Sequence, residues 1–353
     1  MRISTNMFHN NSVSSIQNHQ RDVLDAQLRL STGKRVNSPS DDPVALSQIN
    51  SLNRTMNNIE QYAYNGEFAK AKLVQEETAI TDSIDGLQRA RELGIQLMND
   101  TYSESNRIAA SEELGQIINQ LKNMMNYTDS DGEKLFAGNN VNVDAAFVDD
   151  VNNPGYFSYI GSTNADDGSA TTPYDPLANY GSRFVQIGFD ADNKINADDL
   201  GDPSRVRVTD NGNDVFGVPN ATTTYAYNTD DQTLTGIPVG GTPDDNILNV
   251  LVEFQRALKA GDPPPDEVID DISESITSLS LVRAEIGGRQ NRIENQYDAG
   301  ESFTLALQER RLGLEEQDIV EGITELTKSE NALQIAQQVF TRVQDLSLFN
   351  YLR

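Results

Sequence analysis

QLRLSTGKRVNSPSDDPVALSQI, residues 27–49, joins two helical patterns through a short loop. Upstream, Val13, Ile16, Val23 and Leu30 recur at helical spacings, and Leu24 and Leu28 widen that stripe. Leu30 closes it just before Gly33. Pro39 and Pro43 argue against one helix running through, because a proline lacks the N–H that an interior turn needs and constrains the residue before it. Asp41 or Asp42 can accept from the free N–H groups of the next helix, with Pro43 in or near its first turn. Beyond that turn, Leu46, Ile49, Leu52, Met56 and Ile59 resume the helical period.

Working outward, the pattern continues through Phe68, Leu73, Ile80, Ile84, Leu87 and Leu93. Gly66, Gly86 and Gly94 weaken it without ending it. Leu114, Ile117, Ile118, Leu121 and Met125 mark another helix, which stops near the turn signal DSDG at 129–132. The far end of the chain mirrors the beginning. Ile247, Leu248, Leu251, Val252, Phe254 and Leu258 form an amphipathic run that GDPPP at 261–265 terminates. Val268, Ile272, Ile276, Leu279 and Ile286 begin the next helix. Ile319, Ile323, Leu326 and Leu333 follow, and Ala336, Phe340, Val343 and Leu346 prolong the stripe with an offset. Glu330 interrupts it, so the pattern is partly coiled-coil and not a uniform zipper.

Between these zones the composition changes. No glutamate occurs between Glu133 and Glu253, and residues 141–245 carry 17 aspartates against four basic residues. Glycine, proline, asparagine and threonine are frequent there, as turns require. RFVQIGF at 183–189 and SRVRVTD at 204–210 alternate apolar and polar residues, which predicts half-exposed strands. The expectation is a small antiparallel β domain inserted between helical zones, removable over about 145–240 without unfolding them.

Composition excludes several function classes. The 353 residues hold 27 basic and 54 acidic side chains, a formal net charge of −27. Such a chain repels nucleic acid and anionic membrane surfaces. With no cysteine there is no disulfide, thiol nucleophile or cysteine-held metal. The two histidines, His9 and His19, lie close together near the N-terminus, and the first-helix surface or an interface is their expected place. The opening residues show no apolar signal-peptide core, and no stretch is apolar enough to span a bilayer. Asp190, Asp192, Asn196 and Asp198 could hold calcium, but Ile195 and Gly201 stand where a calcium loop needs glycine and glutamate. Asp129, Asp131 and Glu133 form an equally weak cluster. Gly33-Lys34 lacks the upstream glycine of a phosphate loop, Leu28 standing there. Catalytic, cofactor and metal residues are therefore expected to be none.

Each end of the chain is an amphipathic helix that cannot bury its stripe alone. The ends can pair with each other or await neighbouring subunits, and both arrangements make them assembly elements.

Residues 27–49 resemble the N-terminal signature of the bacterial flagellin superfamily, as does the opening MRISTNM at 1–7. Arg2-Ile3-Ser4-Thr5, Pro39, Asp42-Pro43, TDSDGEKLFAG at 128–138 and SLFNYL at 347–352 resemble the hook–filament junction branch more than filament flagellin. The resemblance implies a mainly α fold with an inserted β domain: a discontinuous antiparallel helical rod with flexible terminal helices. Residues 1–42 and 310–353 would form a terminal axial assembly domain. Residues 43–140 and 244–309 would form the rod domain, with a short β segment near 134–138, and 141–243 a peripheral acidic β-rich domain. The implied role is a structural subunit joining hook to filament, outside the cell, after type III export. The implied partners are a homo-oligomeric ring, a neighbouring hook-associated protein, filament-side subunits and a cytoplasmic export chaperone, with no cofactor, nucleic acid or membrane insertion. Filament flagellin is the alternative, followed by a surface-binding or adhesin module in the middle zone. Val13, Ile16, Val23, Leu30, Leu333, Phe340 and Val343 are the expected subunit-interface residues. Leu346, Leu348, Phe349 and Leu352 are expected to meet the chaperone or a neighbour.

Overall fold

The computed structural model describes residues 2–99, 101–138, 140, 143–151, 153–161, 183–189, 204–225 and 243–351. The helices are α1 (Arg2–Thr32), α2 (Pro43–Leu97), α3 (Glu104–Met125), α4 (Gly212–Phe216), α5 (Ile247–Ala260), α6 (Asp266–Glu315) and α7 (Ile319–Tyr351). The strands are β1 (Phe147–Asp149), β2 (Phe157–Tyr159), β3 (Phe184–Gln186) and β4 (Arg205–Arg207). The chain divides into two compact units: Met1–Ile59 with Glu301–Arg353, and Glu60–Gly300.

The Glu60–Gly300 unit is built on the apolar faces of α2, α3, α5 and α6. Leu73, Ile80, Leu87, Leu114, Leu121, Leu251, Phe254 and Ile272 are buried in one core. Each such side chain contributes about 1.5–3 kcal/mol of burial free energy. Two of the glycines that weaken the α2 pattern are packing devices. A Cβ at Gly66 would lie 3.2 Å from Ile293, and one at Gly94 3.2 Å from Ile269, so both glycines admit α6. Helix α2 therefore runs on as 55 residues through all three glycines.

The alternating stretches form strands as expected. Phe184 pairs with Arg207 and Gln186 with Arg205 in one antiparallel ribbon, and Phe147 pairs with Tyr159 in a second. Asn246 and Asn249, at the start of α5, hold β2. The Asn249 side chain accepts from Phe157 N–H (2.8 Å), and both amides donate to the Phe157 carbonyl. The NG pair at 211–212 opens α4, because the Asn211 side chain accepts from Asn213 N–H (3.0 Å). Gly212 N–H donates to the Phe136 carbonyl (2.8 Å), and a Cβ there would sit 2.7 Å from that oxygen.

This pairing inserts the 135–138 segment and its neighbours into the helical core. Phe136 and Phe147 meet Phe216 edge-on, at centroid distances of 4.9 and 6.0 Å. Val206, Val208, Val215 and Val218 belong to the same core. Removing 145–240 would therefore take out core side chains, which corrects the expectation that the segment is dispensable to the helices.

Another difference lies between α6 and α7. The residues of the break, 316–318, include no proline or glycine, yet the helix stops at Glu315 and restarts at Ile319. Asp318 is the cause. Its carboxylate accepts from Val320 N–H (2.7 Å) and Glu321 N–H (3.3 Å), capping the new helix.

Candidate functional site: the paired terminal helices

In the terminal unit, the two chain ends meet through a loop that local chemistry fixes. Gly33 takes φ 68°, the left-handed conformation that ends α1. Its carbonyl accepts from Gln317 N–H (2.9 Å), and Arg35 N–H donates to the Glu315 carbonyl (2.7 Å). The loop is thus stitched to the break between α6 and α7. Arg35 also donates through its guanidinium to the Leu314 carbonyl (3.0 Å), and Lys34 pairs with Glu315.

The two aspartates divide the work. Asp41 closes the loop by accepting from Ser38 N–H (2.8 Å) and Asn37 N–H (3.0 Å). Asp42 caps α2 by accepting from Ala45 N–H (2.9 Å) and Val44 N–H (3.2 Å), with Pro43 as the first helical residue. The Ser38 and Asn37 amides hold the Asp41 carboxyl below its ordinary value, and the Ala45 amide does the same for Asp42. Val36 tucks beneath the loop against Ala45 and Ile49, while Leu52, Ile59 and Leu307 form a second small cluster.

Helices α1 and α7 pack side by side. Lys34 bridges to Glu316, Arg29 approaches Glu325 at 3.8 Å, and the His9 and Phe340 rings lie 5.2 Å apart. Rising numbers on α1 meet falling numbers on α7, so the pair is antiparallel. The facing stripe of α1 is Val13, Ile16, His19, Val23, Ala26 and Leu30; that of α7 is Gly322, Leu326, Ser329, Leu333, Ala336 and Phe340. The α7 positions alternate by four and three, the spacing of a coiled-coil seam. Leu30 reaches 3.4 Å from the Cβ position of Gly322, so a small residue there lets the helices close.

Six of the seven expected interface residues therefore lie on this intramolecular seam: Val13, Ile16, Val23, Leu30, Leu333 and Phe340, all half-buried. The side chains of Val343, Leu346, Leu348 and Phe349, and the whole of Leu352, lie outside the described residues. His9 and His19 sit on the same helix, His19 3.5 Å from Asp22. Asp190, Asp192, Asn196 and Asp198 also fall outside the described residues. In the other unit, Asp129 anchors a turn, accepting from Asp131 and Glu133 N–H groups and pairing with Lys72 at 2.8 Å.

A second apolar face was not separated from the first by sequence reasoning. Leu24 (62%) and Leu28 on α1 are exposed, as are Ile319, Val320 (74%), Ile323, Ile335 (60%) and Val339 on α7. Ile323, Thr327, Asn331 and Ile335, each four residues on, line a shallow open depression along α7. Both faces are apolar, so hydrophobicity alone left their separation ambiguous. The signal was the heptad frame through Gly322 and Ser329, which leaves Val320, Ile323 and Ile335 off the seam.

The family models bear on this arrangement. The bacterial flagellin N-terminal helical region matches residues 3–141, and the C-terminal helical region matches 269–352, together more than half of the chain. This chain belongs to the bacterial flagellin family. Within that family it is 28% identical over 349 residues to flagellar hook-associated protein 3 of Salmonella typhimurium, covering 99% of each chain. It is 25% identical over 362 residues to the Escherichia coli protein of the same name, again covering 99% of each. Its fold is similar to that of a flagellar hook-associated protein from Vibrio parahaemolyticus, with a TM-score of 0.56 at 19% identity, covering 78% of this chain and 99% of that one. Among the described residues, no helix of this flagellin-family chain is long and apolar enough to cross a membrane.

Proposed function

We propose that this chain is a structural subunit joining the flagellar hook to the filament, outside the cell. The observation that carries the reading is the outward apolar face of the terminal helices. Their inner stripes already cover each other, so Leu24, Leu28, Val320, Ile323, Ile335 and Val339 remain for neighbouring subunits. Covering a few hundred Å² of such surface supplies several kcal/mol at about 25 cal/mol per Å², before ordering costs. The higher whole-length identity to hook-associated protein 3 than to flagellins of like coverage supports the junction role over that of filament flagellin.

In this reading, residues 1–42 and 310–353 are the axial assembly elements, and copies of the chain form a ring. A hook-associated protein lies on one side and filament subunits on the other. Val13, Ile16, Val23, Leu30, Leu333 and Phe340 act indirectly, by holding the helix pair that presents the outer face, and Val343 is assigned to the contact with a neighbouring subunit. Leu346, Leu348, Phe349 and Leu352, four large apolar residues within seven positions of sequence, suit a chaperone in the cytoplasm and a neighbour after export. The role is mechanical and needs no cofactor.

The test is electron microscopy of cells lacking the chain, with the wild-type or Ile335→Asp form restored. Bare hooks and released filament protein without it, and failed rescue by a normally produced and exported variant, support the reading. Intact filaments in the deletion overturn it. Unlimited growth of purified chain on filament seeds would favour filament flagellin.

A further inference from the structure

The strands of the Glu60–Gly300 unit are tied to its helices by a buried charge cluster. Asp210 follows β4, and its backbone is zipped to the 135–138 segment: Asp210 N–H donates to the Leu135 carbonyl (3.2 Å), and Gly138 N–H donates to the Asp210 carbonyl (3.1 Å). Its side chain plugs in between α2 and α6. Arg289 of α6 donates to one carboxylate oxygen (2.9 Å), and Arg207 of β4 lies 2.6 Å from the other. Glu285 of α6 closes the ring, 3.5 Å from Arg289 and 3.6 Å from Arg207. Glu76 of α2 completes the cluster with no exposed surface at all.

We propose that Glu76 carries a proton in the folded subunit and donates it to Asp210, so that the cluster is a proton-dependent latch between the strands and the helices.

Three observations support this. First, neither Glu76 oxygen accepts from a described N–H or hydroxyl donor, and the nearest guanidinium nitrogen, on Arg289, is 4.0 Å away. An ionised carboxylate in that position would be buried without the donors that make such burial tolerable. Second, Asp210 is the carboxyl that faces Glu76 in the cluster, and two carboxyls can bond only through a shared proton. Third, both arginines are already engaged at closer range than Glu76 by Asp210 and Glu285. Neither guanidinium is left to make a close ion pair with Glu76, whose nearest is Arg289 at 4.0 Å. Burial first, and then the Asp210 charge, push the Glu76 carboxyl well above its ordinary value of 4.5. Burial also pushes Asp210 up, but Arg289 and Arg207 outweigh it and hold that carboxyl below its usual range. Among the described residues, other charged groups on the packed elements are engaged elsewhere. Asp214 of α4 is itself pushed up by burial, Lys72 is engaged by Asp129 and Glu133, Glu77 by Gln290, and Arg292 by the Arg205 carbonyl.

The sign of the pH dependence follows. A carboxyl raised in the folded state contributes stability that is complete below its unfolded value and lost as pH rises through its folded value. The test is thermal unfolding of the full chain from about pH 5 to about pH 9, spanning the range that buried glutamates reach. The wild-type midpoint should fall across that range. Glu76→Gln keeps the shape and an N–H donor for Asp210 without needing a proton, so its midpoint should stay flatter and overtake the wild type at the alkaline end. Isotope-edited infrared spectroscopy of glutamate-labelled wild type gives an independent readout. One protonated glutamate carboxyl should persist at neutral pH and be missing in Glu76→Gln. Parallel melting curves for the two proteins, or fully ionised glutamates in the neutral wild-type spectrum, would overturn the latch. If Glu76→Gln fails to fold, the wild-type spectrum decides alone.

Discussion

Leu73, Ile80, Leu87, Leu114 and Phe254 are sealed inside the Glu60–Gly300 unit, whereas Leu24, Val320 and Ile335 of the terminal unit face solvent. The first unit closes its core with helices, strands and the 135–138 segment together. The second owns two small clusters and a helix pair with apolar side chains on both sides. A closed core gives a unit its own stability. A two-faced helix pair spends only half of its apolar surface on folding and keeps the rest for assembly. Substitutions should therefore separate stability from assembly according to the unit they fall in.

The largest effect is expected in the closed core. Phe216→Ala removes the ring that Phe136 and Phe147 meet and should cost about 3–5 kcal/mol, read by denaturant unfolding of the full chain. Retained stability would mean that the core does not depend on that ring.

The sharpest contrast comes from Leu333 and Ile335, two positions apart on α7. Leu333→Asp puts a charge on the seam and should loosen the helix pair by about 1–3 kcal/mol. Ile335→Asp should change monomer stability by no more than about 0.5 kcal/mol while abolishing incorporation into hook-attached rings. Equal effects of both substitutions on monomer unfolding would erase the distinction between inner and outer face.

A smaller effect is expected at Gly33. A Cβ there meets nothing, so only the left-handed backbone is at stake. Gly33→Ala should weaken the terminal unit by about 1 kcal/mol, measured as opening of α1 by hydrogen exchange.

The smallest effect concerns acid. Asp41 and Asp42 are held below their ordinary value of 3.8 by backbone amides. Their contribution is present above the unfolded value and is lost as pH falls through the folded values. Loop amides of Asn37, Ser38 and Ala45 should lose protection below about pH 4 before the other unit melts, as NMR exchange would record. Unchanged protection there would show that the capping carboxylates contribute nothing to the loop.

Much of this organisation was legible in residues 27–49. Gly33, Asp42 and Pro43 act locally, so their backbone consequences could be read without knowing what packs nearby. The alternating runs around Val185 and Val206 were readable for the same reason. Other features depend on contacts distant in sequence. Gly66 and Gly94 looked like weaknesses because Ile293 and Ile269, which fill the space beside them, lie far along the chain. The break before α7 carried a signal that was passed over: Asp318 followed three residues later by Glu321, a capping pattern without proline or glycine. At the candidate site, the apolar stripes were visible, but their division into inner and outer faces was not. Leucine and isoleucine look alike on both sides of a helix, and only the small residues Gly322 and Ser329 mark the inner one.

The central claim is that the terminal helices are half-satisfied in the free subunit and completed by neighbours. Residue-resolved hydrogen exchange, on the dilute monomer and on the assembled junction, tests it most directly. The account predicts weak protection along α1 and α7 in the monomer, strong protection after assembly, and little change in the core helices of the Glu60–Gly300 unit. Terminal helices as protected in the dilute monomer as that core, with no gain on assembly, would contradict it.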